Sequence, residues 1–204
     1  MHVRPLIRAT MLVVAISSAA AAQSFTLNFD DTALWGLPAA GLTVGGVALT
    51  NPTGDAFVLP TSFACSTLGC SGVVQGQVNG TLGFTFGGPV STLTFGLVRG
   101  VNRQSFLTLF NSSGTAFSTQ TIIPTLQNDP TFGAFFGTTF SWTSSGTAAY
   151  SARLTHSFDT ALGFEAFELD NVTGTMMTPV PEPATAALLG VGLAGLLVGR
   201  RRRA

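Results

Sequence analysis

The stretch Val90-Ser91-Thr92-Leu93-Thr94-Phe95-Gly96-Leu97-Val98 alternates, with Leu93, Phe95 and Leu97 on one side and Thr92 and Thr94 on the other. That is the two-residue period of a half-buried strand, not the period of a helix. Just upstream, Gly87-Gly88-Pro89 reads as a break, because proline removes a ladder donor and glycine weakens a strand interior. Residues 81–86 form a further expected strand. Asn79-Gly80 is a two-residue hairpin signal joining it to residues 73–78.

The same texture runs outward in both directions. Residues 24–29 put Phe25, Leu27 and Phe29 on one face and end at Asp30-Asp31. Residues 41–50 give two short strands around Gly45-Gly46, and residues 56–59 another. Downstream, residues 105–110 and 116–123 flank the turn Asn111-Ser112-Ser113-Gly114. Residues 127–130 read as a polar loop. Residues 135–142 and 149–156 flank the turn at 143–146, and residues 164–170 run on into Asn171-Val172-Thr173. About ten to twelve short strands with Gly, Asn, Ser and Pro turns, and no helix-length periodic segment, predict an all-β antiparallel fold. A jelly-roll-like β-sandwich suits the size, with the first and last strands pairing at one edge; a closed barrel is the alternative.

Both ends of the chain differ from this body. Residues 1–22 carry His2, Arg4 and Arg8, then a short apolar run, then Ala20-Ala21-Ala22: the layout of a secretory signal peptide, with cleavage expected after Ala22. Residues 23–175 are the expected β-sandwich and 176–183 a linker. Residues 184–199 are uncharged and apolar, and Arg200, Arg201, Arg202 and Arg203 follow, leaving 200–204 as a basic cytoplasmic end. The apolar run of about 16 residues is below the roughly 20 that span a bilayer comfortably. It forms a short transmembrane helix if the arginine stems reach the interface. The arginine cluster sets its orientation, basic end inside.

The whole chain of 204 residues is formally neutral, but residues 23–179 hold only Arg99, Arg103 and Arg153 against eight Asp and Glu. Three minus eight gives a body of −5, without a single lysine. Such a body is a poor partner for nucleic acid or anionic lipid. Its 17 phenylalanines with many Thr, Ser and Gly suit strands and turns.

Chemistry is sparse. His156 is the body's one histidine, no Gly-x-Ser-x-Gly elbow surrounds any serine, and no glycine-rich phosphate loop leads into a helix. Glu165 and Glu168 stand three apart and face opposite sides of a strand, which does not suit a pair acting across one cleft. The expectation is a protein that is not an enzyme, with no required cofactor. Cys65 and Cys70 are expected to form a local disulfide in an oxidising compartment, worth roughly 2–3 kcal/mol by loop closure. Asp30, Asp31 and Asp170 flank the first and last strands and are candidate ligands for a structural calcium, which needs six to eight oxygens. Antiparallel pairing of those strands is expected to bring Asp30 and Asp31 toward Glu165; only a parallel or adjacent-sheet arrangement would bring them to Asp170. Trp35, Trp142 and Tyr150 are the candidate sugar-stacking rings, and Trp35, in a turn-rich segment away from strand alternation, is the one expected to be best exposed.

The tail Val180-Pro181-Glu182-Pro183, followed by a short apolar run and a basic end, resembles the PEP-CTERM sorting signal of Gram-negative bacteria. That resemblance implies recognition by an exosortase, with Glu182 central to it, and delivery to the cell surface or exopolysaccharide matrix after anchoring in the membrane. The same tail domain also carries an ice-binding protein C-terminal label, which transfers no ice-binding activity to this chain. More weakly, Phe29-Asp30-Asp31, residues 86–95 and Glu168-Leu169-Asp170-Asn171-Val172-Thr173 are similar to ectodomains of that group, which often look like carbohydrate-binding sandwiches. The functional expectation is therefore a surface or matrix protein that binds or structures exopolysaccharide. The alternatives are a carboxylate-dependent glycan hydrolase and a self-associating structural protein.

Overall fold

The longest element runs straight through the expected break. In the computed structural model, residues 81–99 form one strand of 19 residues, β6 (Thr81–Arg99). The structure describes residues 22–53, 55–60, 72–77, 80–99, 102–129, 133–156, 166–177, and Gly190 and Gly192. The other described strands are β1 (Gln23–Leu27), β2 (Thr43–Val44), β3 (Val47–Thr53), β4 (Ala56–Pro60), β5 (Gly72–Gln77), β7 (Ser105–Phe110), β8 (Ala116–Ile122), β9 (Thr125–Asp129), β10 (Gly133–Thr143), β11 (Ala149–His156) and β12 (Ala166–Met176). A 3₁₀ turn spans Thr32–Leu34.

β6 belongs to two layers. Its first half lies between β3 (Leu49 opposite Phe84) and β11 (Leu154 opposite Leu82). Its second half lies between β10 (Phe140 opposite Phe95) and β12 (Leu169 opposite Leu97). One layer is therefore β2-β3-β6-β11-β7-β8. The other is β9-β10-β6-β12, with β5 and β1 sharing the far side of β12 and β4 outside β5. Gly87-Gly88-Pro89 sits where the partners change. A strand that switches sheets needs a bend there, and side chain-free glycines permit it. The carbonyl of Pro89 still accepts from Met177 N at 2.6 Å. The sequence pattern was that of a corner, not of an end.

Every described pairing is antiparallel. The fold is thus an all-β antiparallel sandwich of the jelly-roll kind. The inner faces meet as the alternation demands. Phe25 of β1 lies 5.7 Å from Phe86, Phe117 of β8 lies 6.4 Å from Trp142 of β10, and His156 of β11 stacks at 4.3 Å on Phe167 of β12. Leu27, Val47, Leu82, Leu97, Leu107, Leu154 and Leu169 between these contacts have no solvent exposure. Burying each contributes roughly 1.5–3 kcal/mol.

Three local expectations change. β5 and β6 do not pair as the expected hairpin, whose residue Asn79 lies outside the described residues: β5 pairs with β4 and β12, while both edges of the first half of β6 are taken by β3 and β11. Part of the expected polar loop at 127–130 is strand β9, paired with β10. β12 continues to Met176, well beyond the expected strand end at Thr173 and into the first residue of the expected linker, because β1 pairs with its last five residues. The hairpin at Gly45-Gly46 and the turn at 111–114 stand as expected. Both glycines have positive φ, 57° and 80°, and Asn111 Oδ1 accepts from Ser113 N and Thr115 N at 3.1 and 2.9 Å.

Residues 1–21, both cysteines, Glu165, the sorting motif 180–183 and the arginines 200–203 lie outside the described residues. So does the expected transmembrane helix 184–199, apart from Gly190 and Gly192, which are helical. Among the described residues no helix is long and apolar enough to cross a membrane.

Candidate functional site

The first and last strands do pair, antiparallel, from Gln23 opposite Met176 to Leu27 opposite Val172. This register carries Asp30 to Asp170, a meeting that was expected only of a parallel or adjacent-sheet arrangement. The cause is that β12 runs on to Met176, so that β1 pairs with residues 172–176 and its end arrives beside Asp170; β12 also carries a bulge there. Between Asp170 and Thr173, β12 has one residue more than β6, and Asn171 takes φ 55°. A bulge re-aims the side chain beside it. Asp170 is 2% exposed, and its Oδ1 has no hydrogen-bond partner among the described residues. Burial raises its pKa to about 6; the backbone N–H of Asn171 works against this, and the charge of Asp30 adds to it. Asp30 itself is anchored, its Oδ1 accepting from Gly72 N at 2.9 Å. Asp31 turns away and caps the 3₁₀ turn, accepting from Ala33 N at 2.9 Å. Asp30 and Asp170 thus form a two-carboxylate corner without Asp31. No group of three His, Cys, Asp or Glu among the described residues draws close enough to hold a metal.

Trp35 is not the free ring that its turn-rich context suggested. It is half-buried against the core, and its indole N–H donates to Phe29 O at 3.1 Å. Glu168 has no solvent exposure and its Oε1 accepts from Gln75 Nε2 at 2.6 Å, so it faces no cleft.

Sequence reasoning also missed a polar cluster inside the sandwich. His156 Nδ1 lies 2.7 Å from Ser105 Oγ, their backbones being register partners on β11 and β7. Arg99 is fully buried at the end of β6, and its guanidinium donates to Gln104 O at 3.0 Å. Burial first, and then the charge of Arg99, lower the His156 pKa to about 3. A neutral imidazole beside a serine with no solvent exposure is a packed hydrogen-bonded pair, not an accessible nucleophile and base. No local motif could have found it, since 51 residues separate the two.

The most suggestive concave surface opens where β8 of one layer meets β10 of the other. This groove of about 500 Å³ is lined by Phe117, Ser118 and Gln120 from β8, and by Ser141, Trp142 and Thr143 from β10, with Ser145 and Thr147 beyond. No charged residue lines it. The aromatic wall is fixed from behind, because Trp142 is a core residue only 9% exposed. Gln120 Nε2 donates to Ser118 Oγ at 2.7 Å, and Ser141 Oγ lies 3.1 Å from Thr94 Oγ1. The turn beyond β10 is braced by Ser144 N to Ser91 O and Ser144 Oγ to Thr147 O, both at 2.7 Å. An aromatic wall with fixed hydroxyls and an amide suits a ligand that is apolar on one face and rich in hydroxyls at its rim.

Solved structures similar to this chain include family 29 carbohydrate-binding modules. One, a tyrosine-to-alanine variant, is 10% identical, covers 76% of this chain and 93% of its own, and has a TM-score of 0.46. Another is 8% identical with coverages of 80% and 99% and a TM-score of 0.46. A variant complexed with mannohexaose is 9% identical with coverages of 76% and 93% and a TM-score of 0.45. With scores this low, ligand and site rest on this chain's own residues. No curated protein matches the chain in sequence. A family model, the PEP-CTERM protein-sorting motif, matches residues 179–203, and it carries the sorting description without the ice-binding label. The chain therefore ends in a PEP-CTERM protein-sorting motif.

Proposed function

We propose that this is an exported protein, held in the membrane by its tail until an exosortase acts on it, whose β-sandwich then binds exopolysaccharide at the cell surface or in the extracellular matrix. The sorting motif at 179–203 supports the destination. The uncharged aromatic and hydroxyl groove between β8 and β10 carries the binding reading. Neutral sugar rings would lie against Phe117 and Trp142 and exchange hydrogen bonds with Gln120 and Ser141. The test is retention of the full chain, in detergent, on neutral polysaccharide in an affinity gel. Gln120→Ala and Ser141→Ala, which leave the core untouched, are each expected to weaken retention about fivefold, the worth of one net hydrogen bond near 1 kcal/mol. No retention above a denatured control, or variants that bind like the parent, would overturn the reading. Deletion of residues 180–204 is expected to release the body into the medium; continued surface retention would contradict the role of the tail.

A structural calcium belongs to the same proposal, narrowed to Asp30 and Asp170. The buried Asp170 Oδ1 without a partner supports it. The remaining oxygens would have to come from backbone carbonyls and water.

A further inference from the structure

Among the described residues of β3, β6, β11, β7 and β8, the outer face holds one cation and no acid. No Asp or Glu occurs in β3, β6, β11, β7 or β8. Arg153 is exposed on this face, and no ion pair or hydrogen bond ties it among the described residues. Instead its guanidinium lies 5.3 Å from the centroid of the Phe110 ring, a diagonal neighbour across the β11–β7 pair. Stacking on an aromatic face holds the guanidinium in place and leaves its N–H fork free to donate.

The surroundings complete a seat. Register puts Thr50, Gly83, Arg153, Thr108 and Thr119 in one row across five strands, outward in each case. Gly83 has no side chain because Thr50 Oγ1 occupies the space a Cβ would need. The result is a dent of about 250 Å³ whose lining includes Thr50, Gly83, Thr85, Phe110, Ser151 and Arg153. Asp30 and Asp170 belong to the β1–β12 corner of the other layer. An unpaired arginine fork on an acid-free face, ringed by hydroxyls, is complementary to a planar anion carried by a hydroxyl-rich body.

We propose that this dent is a second binding site that takes the carboxylate of an acidic sugar in a polysaccharide chain, Arg153 gripping the carboxylate while Thr50, Thr85 and Ser151 meet the ring hydroxyls. This rests on the reading of the body as a glycan binder and adds to it the class of sugar. It also locates a site separate from the β8–β10 groove, on a different face.

The experiment compares binding of the full chain in detergent to polygalacturonate, to its methyl ester and to a sulfated galactan, by titration calorimetry at low and high salt. Polygalacturonate is expected to bind about tenfold or more tighter than its ester, the worth of one charge-assisted contact, and to weaken with salt. Arg153→Gln should abolish that preference, bringing polygalacturonate down to the affinity of its ester. Arg153→Lys should keep part of it, because the charge stays and the fork is lost. Equal binding of acid and ester, an Arg153→Gln variant that keeps the preference, or a stronger preference for the sulfated polymer would overturn the inference. Tight, Arg153-dependent binding of polygalacturonate without any binding of the ester would support this site while the groove reading fell.

Discussion

Two buried titrating groups pull the acid stability of this sandwich in opposite directions, and substitution can separate them. His156 has a folded pKa of about 3 against an ordinary 6.5. As pH falls the unfolded chain takes up the proton first. The contribution is therefore fully present above 6.5 and is lost as pH falls toward 3. Between pH 7.5 and pH 5 this amounts to about 2 kcal/mol, at about 1.4 kcal/mol per unit. Asp170 has the reverse sign, with a folded pKa of about 6 against 3.8. Its contribution is fully present below 3.8 and is lost as pH rises through 6. Asn171 is exposed and Asp30 half-exposed, so solvent screens the effect, which leaves about 1 kcal/mol gained on going from pH 7.5 to 5. The parent protein should thus lose about 1 kcal/mol over that interval. Asp170→Asn should lose the full ~2 kcal/mol, or roughly 4–8 °C in Tm for a body of this size. His156→Asn should become slightly more stable in acid. Urea melts of the full chain in detergent at pH 7.5, 6 and 5 measure this. An Asp170→Asn variant as stable at pH 5 as at pH 7.5, or a His156→Asn variant that keeps the parent's loss, would refute the reasoning.

Other outcomes follow from the same packing. Gly174→Ala would drive a methyl into the Phe25 ring and toward Thr92 O, and should cost about 1–3 kcal/mol in the same urea melts. Gly72→Ala meets Phe29 O and the Trp35 indole nitrogen and would break the Asp30 clamp; it should cost at least as much, whereas Gly114→Ala in an open turn should show only the milder strain of its positive φ. If calcium binds at Asp30 and Asp170, millimolar calcium should raise Tm at pH 7, and the rise should vanish in Asp170→Asn; an unchanged Tm in the parent would remove the ion from the account.

Much of the fold was legible because the sheet writes its period into the sequence. Residues 149–156 read as the strand they form, and the turns at Gly45-Gly46 and Asn111 follow from local backbone chemistry. Gly87-Gly88-Pro89 misled because a corner between layers uses the same residues as an end, and only the change of partners at Val90 tells them apart. Asn79-Gly80 misled for a related reason: a turn signal does not say which strands are already paired. The candidate sites were mostly illegible. The Asp30–Asp170 corner depends on β12 running on to Met176, which sets the register of β1, the Ser105–His156 pair on a register across 51 residues, and the β8–β10 groove on how two layers end. Trp35 looked available because its exposure is set by a carbonyl at Phe29 that no local pattern reveals. The sorting tail, in contrast, is a linear signal and was readable whole.

The proposed grip of the body on polysaccharide where β8 and β10 meet can be read by hydrogen exchange on the full chain, with and without a neutral polysaccharide. Slowed exchange is expected at residues 117–120 and 141–147 on adding the polymer, with little change around Trp35. Unchanged exchange in those two segments, or protection confined to the region of Trp35, would contradict it.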